Sequence, residues 1–467
     1  MKGILAALTI LLCCLTTTVQ AVEEENCAAK ALAEVEVLDL QSAQRLALAE
    51  NPDIAAARTR VEQARARVRQ ASAAWWPSLD LSGSGTRQRL ADARYQNNQA
   101  LAALMGGNAD RTTDTFAAGL QATWVLFDGF FRTFKEQEAS YGAQSADERL
   151  LDSRRLLVAS VARAYFNTQL AQANIDIAHA DEAFYLRQLE DAQHRYDVGA
   201  GRWGDVLNFK VQLNSARTDL IRFQREFEAA GYGLAALMGL PDARLPAHVR
   251  LESLDQEGQI RASVLGEDPA PLIQEALTIR PDVRSLELAI RQAEAVTGQA
   301  KAALYPQLQL VGAIEGQREE DAGFSNDDFS NWVGVQMRWN LYAGGADTAR
   351  RLEAEQAKRE AVHSLTGLRH AVAAEIQQDL ALLASAQEQV SLQRETVQLV
   401  RQNRDLAENE YEAGEASLVR LNEAQRDLNT TLGRLALSLV AYHIAEQQLL
   451  AATGRNLDAF PDDTTGE

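Results

Sequence analysis

Six histidines are spread along the chain, and none of them has the spacing of a metal site. No HExxH pair or comparable ligand arrangement joins them, and the sequence has neither a phosphate-binding loop nor a nucleophile elbow. Carboxylates are abundant, with 65 Asp and Glu residues, but paired acids are common on any solvated helix. We therefore expect no catalytic site, no metal site and no bound cofactor. The histidines are His179, His194, His248, His363, His370 and His443.

The composition favours long polar helices over the core of a compact enzyme. Aromatic residues make up 6% of the chain and there are nine prolines, whereas Ala, Leu, Gln, Glu and Arg are abundant. The formal net charge of −19 is not offset by a basic face or tail, which argues against a nucleic-acid partner. This charge is compatible with cationic solutes or basic partners.

Residues 1–21 have the features of a secretory signal, and an N-terminal segment follows at 22–37. A positive start precedes a short apolar run from Ile4 to Leu15, and Val19-Gln20-Ala21 offers a cleavage site. The longest later apolar run, Leu435 to Ala445, is about half of the roughly 20 residues that span a bilayer as a helix. We therefore expect an exported protein without a membrane-spanning helix: a soluble periplasmic protein, a secreted protein or a β-barrel.

The cysteines favour neither a lipid anchor nor a disulfide. Leu12 and Cys13 stand where a lipoprotein cleavage site needs small residues before Cys14. Cleavage after Ala21 would leave only Cys27, so an intrachain disulfide is not expected.

The chain contains two copies of one unit. Pro52 recurs as Pro281, an offset of 229 residues (281 − 52), and further along Gly119 recurs as Gly334, an offset of 215 residues (334 − 119). The 14-residue difference falls in one segment of each copy, and exposed loops tolerate such insertions. The predicted divisions are repeat 1 at 38–239, a linker at 240–270, repeat 2 at 271–454 and a C-terminal tail at 455–467.

Each copy is predicted to contain the same series of elements. A helix interrupted at an X-Pro pair leads to Pro77 or Pro306, where a strand begins. A polar loop and a second strand follow. The next helix has roughly 65 residues and is about 95 Å long at 1.5 Å per residue. A glycine-containing turn then reverses the chain into a partner helix. The predicted first helices, loops, second strands and long helices are 38–76, 86–114, 115–127 and 132–196 in copy one, and 271–305, 317–330, 331–342 and 347–411 in copy two.

The second strand of each copy alternates apolar and polar residues in the same phase, with Trp124 matching Trp339. A soluble hairpin gives the same alternation, but two such strands, two more after the prolines and an export signal favour a membrane barrel with interfacial tryptophans. Four strands cannot close a barrel, because the smallest have about eight, and an open edge is not tolerated in lipid. The chain must therefore oligomerise. Two chains would supply eight strands and three would supply twelve.

The two-copy layout, the helix–Pro–strand entries and the turn motifs together resemble the TolC-like outer-membrane efflux protein family over about residues 38–454. The turn motifs are Tyr196-Asp197-Val198-Gly199 with Asp205-Val206-Leu207, and Tyr411-Glu412-Ala413-Gly414 with Asn422-Glu423-Ala424-Gln425. The resemblance implies a mainly α chain with a membrane β-barrel portion. It also implies a homotrimer with a twelve-stranded barrel in outer-membrane lipid and a twelve-helix periplasmic tunnel. Such a protein is a passive exit duct for an efflux pump or a type I secretion system, served by a periplasmic adaptor and an inner-membrane transporter of the RND or ABC type.

By the same resemblance, the two turns are adaptor contacts and neighbouring residues form a periplasmic gate. Tyr411 is expected to face Asp205 of the neighbouring hairpin, while Arg420 and Glu423 point to the lumen and close it by mutual ion pairs. Asp205 has a second interpretation as a helix N-cap, with Ser417 as its counterpart. The expected adaptor contacts are Val198, Gly199, Ala200, Ala413, Gly414 and Glu415.

A function from another class is also compatible with the long hairpins. A periplasmic coiled-coil adaptor or scaffold would contain such hairpins without a pore. It would usually have one hairpin flanked by β-rich domains, whereas this chain has two equal copies with strands.

Overall fold

A computed structural model describes residues 36–246, 248–254, 268–319 and 321–461. The predicted signal at 1–21, the segment 22–35 and the last residues of the predicted tail lie outside the described residues. The divisions of the chain given above remain predictions.

Each half of the chain forms the same succession of helices and strands. The first half contains β1 (Val37–Leu38), α1 (Leu40–Glu50), α2 (Pro52–Ala73), β2 (Ser78–Arg89), α3 (Asp92–Leu104), β3 (Thr112–Phe127), α4 (Phe131–Asp197) and α5 (Trp203–Leu237). The second contains β4 (Arg250–Leu251), α6 (Pro269–Ile279), α7 (Pro281–Ala302), β5 (Gln307–Glu319), a 3₁₀ turn (Asn326–Asp328), β6 (Phe329–Arg338), α8 (Ala346–Glu412) and α9 (Leu418–Thr453). A further 3₁₀ turn covers Arg455–Leu457.

None of the helices in the described part of the chain has both the length and the apolarity needed to cross a membrane.

The described residues fall into two compact units. One takes those up to residue 52 together with 160–260 and 388–444, and the other takes 53–159, 261–387 and those from 445 onward. In the first unit, aromatic and aliphatic side chains of α4 and α5, among them Phe184 and Phe209, pack with Leu421 of α9. In the second, Ala276 of α6 and Val283 of α7 pack with Ile376 of α8.

A four-stranded antiparallel sheet lies in the second unit, in the order β2-β3-β5-β6. The central pair, β3 with β5, joins a strand of each repeat, so the two copies share one sheet. Each outer strand, β2 and β6, has one neighbour within the described chain. A sheet of this kind has two unpaired edges, which further strands can extend.

The register places most of the large apolar residues of the four strands on one face of the sheet. Leu81 of β2 pairs with Leu120 of β3, which pairs with Ile314 of β5. Because successive side chains on a strand alternate between faces, every second residue joins this set. The apolar face comprises Leu79, Leu81, Phe116, Ala118, Leu120, Ala122, Trp124, Leu308, Leu310, Ile314, Val333, Val335 and Met337.

Several predicted boundaries are wrong. The segment 317–330, predicted as a loop, contains the end of β5, a 3₁₀ turn and the start of β6. The segment 86–114, predicted as a loop, contains the ends of β2 and β3 and the helix α3 between them. The run Gln99-Ala100-Leu101-Ala102-Ala103-Leu104 consists of strong helix formers, which outweigh the polar residues that suggested a loop. The second strand of copy two ends at Arg338, not Tyr342, because Arg338 pairs with Gln307, the first residue of β5, and the preceding Pro306 has no N–H to extend the ladder.

Candidate functional site: the helical turns and the helix–strand junctions

The turns that follow α4 and α8 have the same backbone geometry. Gly199 and Gly414 adopt φ values of +76° and +77°, which a residue with a Cβ atom rarely adopts. In the first turn the Gly199 N–H donates to Tyr196 O (2.9 Å) and the Ala200 N–H to Arg195 O (2.8 Å). These two bonds form a Schellman motif, and the equivalent bonds close the second turn at 3.1 and 2.8 Å. The glycines therefore end both helices in the same way.

The six residues predicted as adaptor contacts are all exposed. Val198 is the large apolar side chain among them, and Glu415 takes the place in the second turn that Ala200 takes in the first. The two turns thus present the same backbone but different side chains. The two turns therefore differ in charge at this position.

Tyr411, near the end of α8, is half-buried among residues of α4 and α5. Its ring meets Phe209 edge to face with centroids 6.0 Å apart, and the Arg195 guanidinium lies 5.7 Å from its centroid. Burial raises the pKa of the Tyr411 hydroxyl, and the negative charge of Asp205 raises it further. The Tyr411 hydroxyl therefore stays neutral at physiological pH. The predicted contact of Tyr411 with Asp205 of the neighbouring hairpin stays a prediction.

Asp205 is the third residue of α5, because the helix begins at Trp203 and Arg202 occupies the N-cap position. The interpretation of Asp205 as an N-cap is therefore wrong. Its carboxylate lies in the first turn, where a negative charge interacts favourably with the helix dipole. Ser417 stands immediately before α9, and its Oγ accepts a hydrogen bond from the Arg420 N–H at 3.4 Å. The two repeats start their returning helices differently.

Arg420 and Glu423 have exposed side chains near the start of α9. Within the chain the Arg420 guanidinium forms an ion pair with Glu410 of α8 at 3.2 Å. This bridge joins the two helices on either side of the turn. The predicted pairing of Arg420 with Glu423 concerns contacts between chains and stays a prediction.

Buried polar side chains join the two hairpins near these turns, and the sequence reading missed them. The Asn422 amide donates to Asn208 Oδ1 (2.8 Å), and the Gln188 amide donates to Glu408 Oε1 (2.8 Å). In the sequence they are single polar residues on long helices, and nothing in the local pattern marks them as buried. Because a buried amide that loses its partner is costly, these bonds fix how the two hairpins are aligned.

The helix–strand junctions are fastened by tryptophan indoles. In the first repeat α2 ends at Ala73 and β2 begins at Ser78, directly after Pro77, and the Trp124 Nε1–H donates to Trp75 O at 2.9 Å. In the second repeat the Trp339 Nε1–H donates to Leu304 O at 3.2 Å, two residues before Pro306. The two bonds are equivalent by the repeat offsets. The tryptophans predicted as membrane-interface aromatics thus also satisfy a carbonyl that the helix end leaves free.

A buried ion pair supports the first junction. Asp128 accepts from the Arg132 Nε–H at 2.9 Å, both side chains being less than a tenth exposed. The same guanidinium lies 4.4 Å from the centroid of the Trp75 ring and donates to Leu126 O at 3.4 Å. The backbone at this corner is therefore held by a residue that follows β3.

The breaks before α2 and α7 place buried polar residues against the ends of the returning helices. The Asn51 amide donates to Leu237 O at 2.9 Å, and the Arg280 guanidinium donates to Ala452 O at 2.8 Å. The offsets of 229 (280 − 51) and 215 (452 − 237) make these the same contact in the two repeats. Each satisfies a carbonyl in the last turn of a long helix.

Among the described residues no group of three or more His, Cys, Asp or Glu side chains could hold a metal ion. The residues described above close the turns, cap the helix ends and pair the hairpins, so their roles are structural.

A protein-family model, the outer membrane efflux protein family, matches this chain at residues 43–240 and again at 272–455. The two matches correspond to the two repeats. Among curated proteins, the cation efflux system protein CusC of Escherichia coli K12 is 27% identical over 415 residues, which cover 87% of this chain and 84% of CusC. The toluene efflux pump outer membrane protein TtgI of Pseudomonas putida is 26% identical over 410 residues, with coverage of 87% and 83%.

Solved structures share the fold at lower identity. The CmeC outer membrane channel of Campylobacter jejuni superposes with a TM-score of 0.76 at 19% identity, covering 91% of this chain and 87% of CmeC. The open state of the MtrE outer membrane channel of Neisseria gonorrhoeae superposes with a TM-score of 0.70 at 21% identity, covering 90% and 89%. Because the family model matches both halves of the chain, this protein belongs to the outer membrane efflux protein family.

Proposed function

We propose that this protein is the outer-membrane channel of a tripartite efflux pump, a passive duct through which cargo leaves the cell. Its membership of the outer membrane efflux protein family and the channel fold of its relatives support the proposal. The observation that carries it is the sheet in which four strands, two from each repeat, present their apolar residues on one face. Such a face suits lipid, and the opposite, mostly polar face suits an aqueous channel.

A closed barrel requires more strands than one chain supplies. The outer strands β2 and β6 have free edges in the described chain, and backbone groups at a free edge cannot remain unpaired in lipid. Pairing of β6 in one chain with β2 of the next in a homotrimer would close a barrel of twelve strands. The long helices of three chains would then form a periplasmic tunnel of twelve helices.

The turns after α4 and α8 would bind a periplasmic adaptor, through Val198, Gly199 and Ala200 and through their counterparts Ala413, Gly414 and Glu415. The exposure of all six residues and their rigid Schellman geometry support this role. The channel has no site for an energy source in this proposal. An inner-membrane transporter of the RND or ABC type would supply it.

A periplasmic coiled-coil adaptor or scaffold without a pore is not supported. The family match spans both repeats, including the strands, and belongs to efflux channels.

The proposal is tested by the oligomeric state and the conductance of the purified protein. Outer-membrane fractions should contain a heat-modifiable trimer, and that trimer should insert conducting channels into planar lipid bilayers. A soluble monomer that does not alter bilayer conductance would refute the proposal.

Gate residues can be tested in the same bilayers. Tyr411→Phe with Asp205→Ala removes the hydroxyl and the charge that face each other near the turns but keeps the ring against Phe209, so we expect a higher single-channel conductance. Glu415→Ala, which removes an exposed carboxylate from the turn itself, is the matched control and should leave the conductance unchanged. Equal conductance in the double variant and the wild type would remove Tyr411 and Asp205 from the gate.

A further inference from the structure

One large aromatic side chain interrupts the polar face of the sheet. Trp332 of β6 lies between Asn331 and Val333, which point to the apolar face, so the indole lies on the opposite side. Its Cζ3 atom is 3.8 Å from the position that a Cβ atom would take at Gly334, the next residue on the polar face. The side chain of Trp332 is 43% exposed. A large part of its ring is therefore open on the polar face.

Two small apolar residues of the neighbouring strand lie on the same face as Trp332. Ala313 of β5 pairs with Trp332 in the register and is only 4% exposed, and Val311, on the same face of β5, is 3% exposed. Trp332 is directly opposite Ala313, so its indole lies on the same part of this face. The exposed part of the ring is available to a ligand.

A carboxylate lies diagonally across from this ring. Glu315 is two residues beyond Ala313 on β5 and pairs with Ser330, so it is a diagonal neighbour of Trp332 within reach of a long side chain. Its Cγ atom is 3.6 Å from the Cβ position at Gly119 of β3, which places the side chain on the polar face. In the part of the chain that the structure describes, Glu315 forms no ion pair. The glycine beside it leaves room around the carboxylate.

The first repeat lacks this combination of residues. At the repeat offsets, Ala117 stands in the place of Trp332, and Ser84 and Thr86 stand in the places of Ala313 and Glu315. The backbone pairing of β2 with β3 is the same antiparallel type. The aromatic ring and the free carboxylate are therefore a property of the second copy alone, and they would occur three times in a trimer.

We propose that Trp332 and Glu315 form a weak binding site for organic cations on the inner wall of the channel. The proposal rests on the proposed function, because the polar face lines a lumen only when the sheet closes into a barrel. A tryptophan face attracts a cation within about 6 Å of the ring centroid. A flat aromatic ammonium ion fits best, since its ring stacks on the open indole while its charge faces the Glu315 carboxylate. Such a site would slow and concentrate cargo of this class without closing the channel.

The surrounding charges favour a cation over an anion. The other charged residues on the polar face of the strands are Asp80, Glu319 and Arg338, so acids exceed bases there. Arg338 lies at the end of β6, six residues beyond Trp332 along the strand. At 3.4 Å per residue, this separates it from Trp332 by about 20 Å.

The test is block of single-channel current by benzyltrimethylammonium chloride, with the trimer in planar bilayers. Tetramethylammonium lacks the aromatic ring and benzenesulfonate lacks the positive charge, so both should block less. We expect Trp332→Ala to raise the half-blocking concentration of benzyltrimethylammonium about fivefold, and Trp332→Phe to raise it by less, because Phe retains a weaker π face. Glu315→Gln should weaken block by both ammonium ions, since it removes charge and keeps the ring. Asp80→Asn is the matched control: it removes a carboxylate from the same face without touching the site, and should leave the preference for the aromatic ion unchanged.

The outcomes separate this proposal from the proposed function. A conducting wild-type channel that is blocked equally by the aromatic and the non-aromatic ammonium ion overturns the binding site and leaves the duct intact. Unchanged half-blocking concentrations in Trp332→Ala and Trp332→Phe channels that conduct normally overturn it as well. A wild-type protein that forms no channel refutes the duct itself, and the lumen on which the site depends is then absent.

Discussion

Removal of the Arg280 guanidinium should destabilise the second repeat more than removal of its counterpart destabilises the first. Arg280 has a side chain that is 4% exposed, and it donates to Asp282 (2.8 and 3.1 Å), to Glu375 (2.6 Å) and to Ala452 O (2.8 Å). In Arg280→Ala the Asp282 carboxylate, 19% exposed, loses its nearest charged partner but keeps Arg155 at 3.8 Å, and the Ala452 carbonyl loses a donor. Glu375, 44% exposed, stays hydrated and adds little.

The magnitude follows from the burial of the pair. Breaking a buried ion pair by removing one partner costs about 3–5 kcal/mol. Because the side chain of Asp282 keeps some contact with water, we expect about 3 kcal/mol for Arg280→Ala, the lower end of that range. Asn51→Ala removes no charge; the loss of its neutral hydrogen bond to Leu237 O, at the equivalent position, should cost about 1 kcal/mol.

Unfolding of the detergent-solubilised protein, followed by circular dichroism at 222 nm in increasing guanidinium, gives the comparison. Both variants should unfold at lower denaturant concentration than the wild type, with the shift in Arg280→Ala about three times that in Asn51→Ala. Arg280→Lys is the second control, because it keeps the charge but loses the two-pronged contact with Asp282. Equal shifts for Arg280→Ala and Asn51→Ala would refute the assignment of a buried, stabilising ion pair.

The pH dependence of the Arg280 effect provides a second measurement. Burial opposes ionisation of Asp282, but the hydrogen bonds and charge of Arg280 outweigh it and hold the pKa of Asp282 below its usual range. A carboxyl group whose pKa is lower in the folded state stabilises the protein at pH values above the ordinary pKa of an aspartate. That stabilisation is lost as the pH falls through the pKa of the folded state. The difference between wild type and Arg280→Ala should therefore be full at neutral pH and shrink in strong acid.

Three further variants test other contacts. Burial, and then a neighbouring carboxylate, raises the pKa of Asp379 to about 6, so folding disfavours the ionised form at neutral pH. Asp379→Asn should therefore raise the free energy of unfolding at pH 7.5 by about 1–2 kcal/mol, after allowance for solvent screening. The gain should fall to zero near pH 4, where the carboxyl is protonated in both the folded and the unfolded state. Gly239→Ala should destabilise by more than about 2 kcal/mol, because φ is +78° and the new Cβ would lie 2.5 Å from Glu50 O. Trp124→Phe removes the hydrogen bond to Trp75 O and should cost about 1 kcal/mol, measured as a lower dissociation temperature of the heat-modifiable trimer.

Each of these variants has a control that separates its mechanism from general disruption. A gain from Asp379→Asn that is the same at pH 4.5 and pH 7.5 would contradict the raised pKa. Gly233→Ala, in open space within α5, should be neutral or stabilising; a loss as large as that of Gly239→Ala would argue against a role for the backbone geometry of Gly239. Trp339→Phe should match Trp124→Phe, because the two indoles make equivalent bonds.

The sequence by itself determined the features that depend on local pattern. The repeat offsets, the period of the apolar residues and the positions of Pro and Gly are one-dimensional properties, and they predicted long helices, four strands and two glycine turns. The long helices differ from their predicted limits by one residue at each end, at Phe131–Asp197 and Ala346–Glu412. The family resemblance rested on the same order of motifs, and the family model confirms it.

Only the tertiary structure decided which residues meet. The pairing of β3 with β5, and with it the common apolar face, depends on register between strands about 190 residues apart in the chain. Alternation in each strand is compatible with either register, and a slip of one residue would turn the face over. The helix α3 was missed because polar residues around a short helix resemble those of a loop.

The hydrogen bonds that cap the helices of the repeats could not be predicted from the sequence either. Asn51 and Arg280 are different residues at equivalent positions, and nothing in their local pattern indicates that both donate to the last turn of a distant helix. In the sequence Trp332 is one aromatic residue among several near the strands, and only the register shows that it lies opposite Ala313 on the polar face. The physical reason is the same in each case: periodicity specifies which side of an element is apolar, whereas a hydrogen bond or a ring contact requires two elements to be placed within a few ångströms of one another.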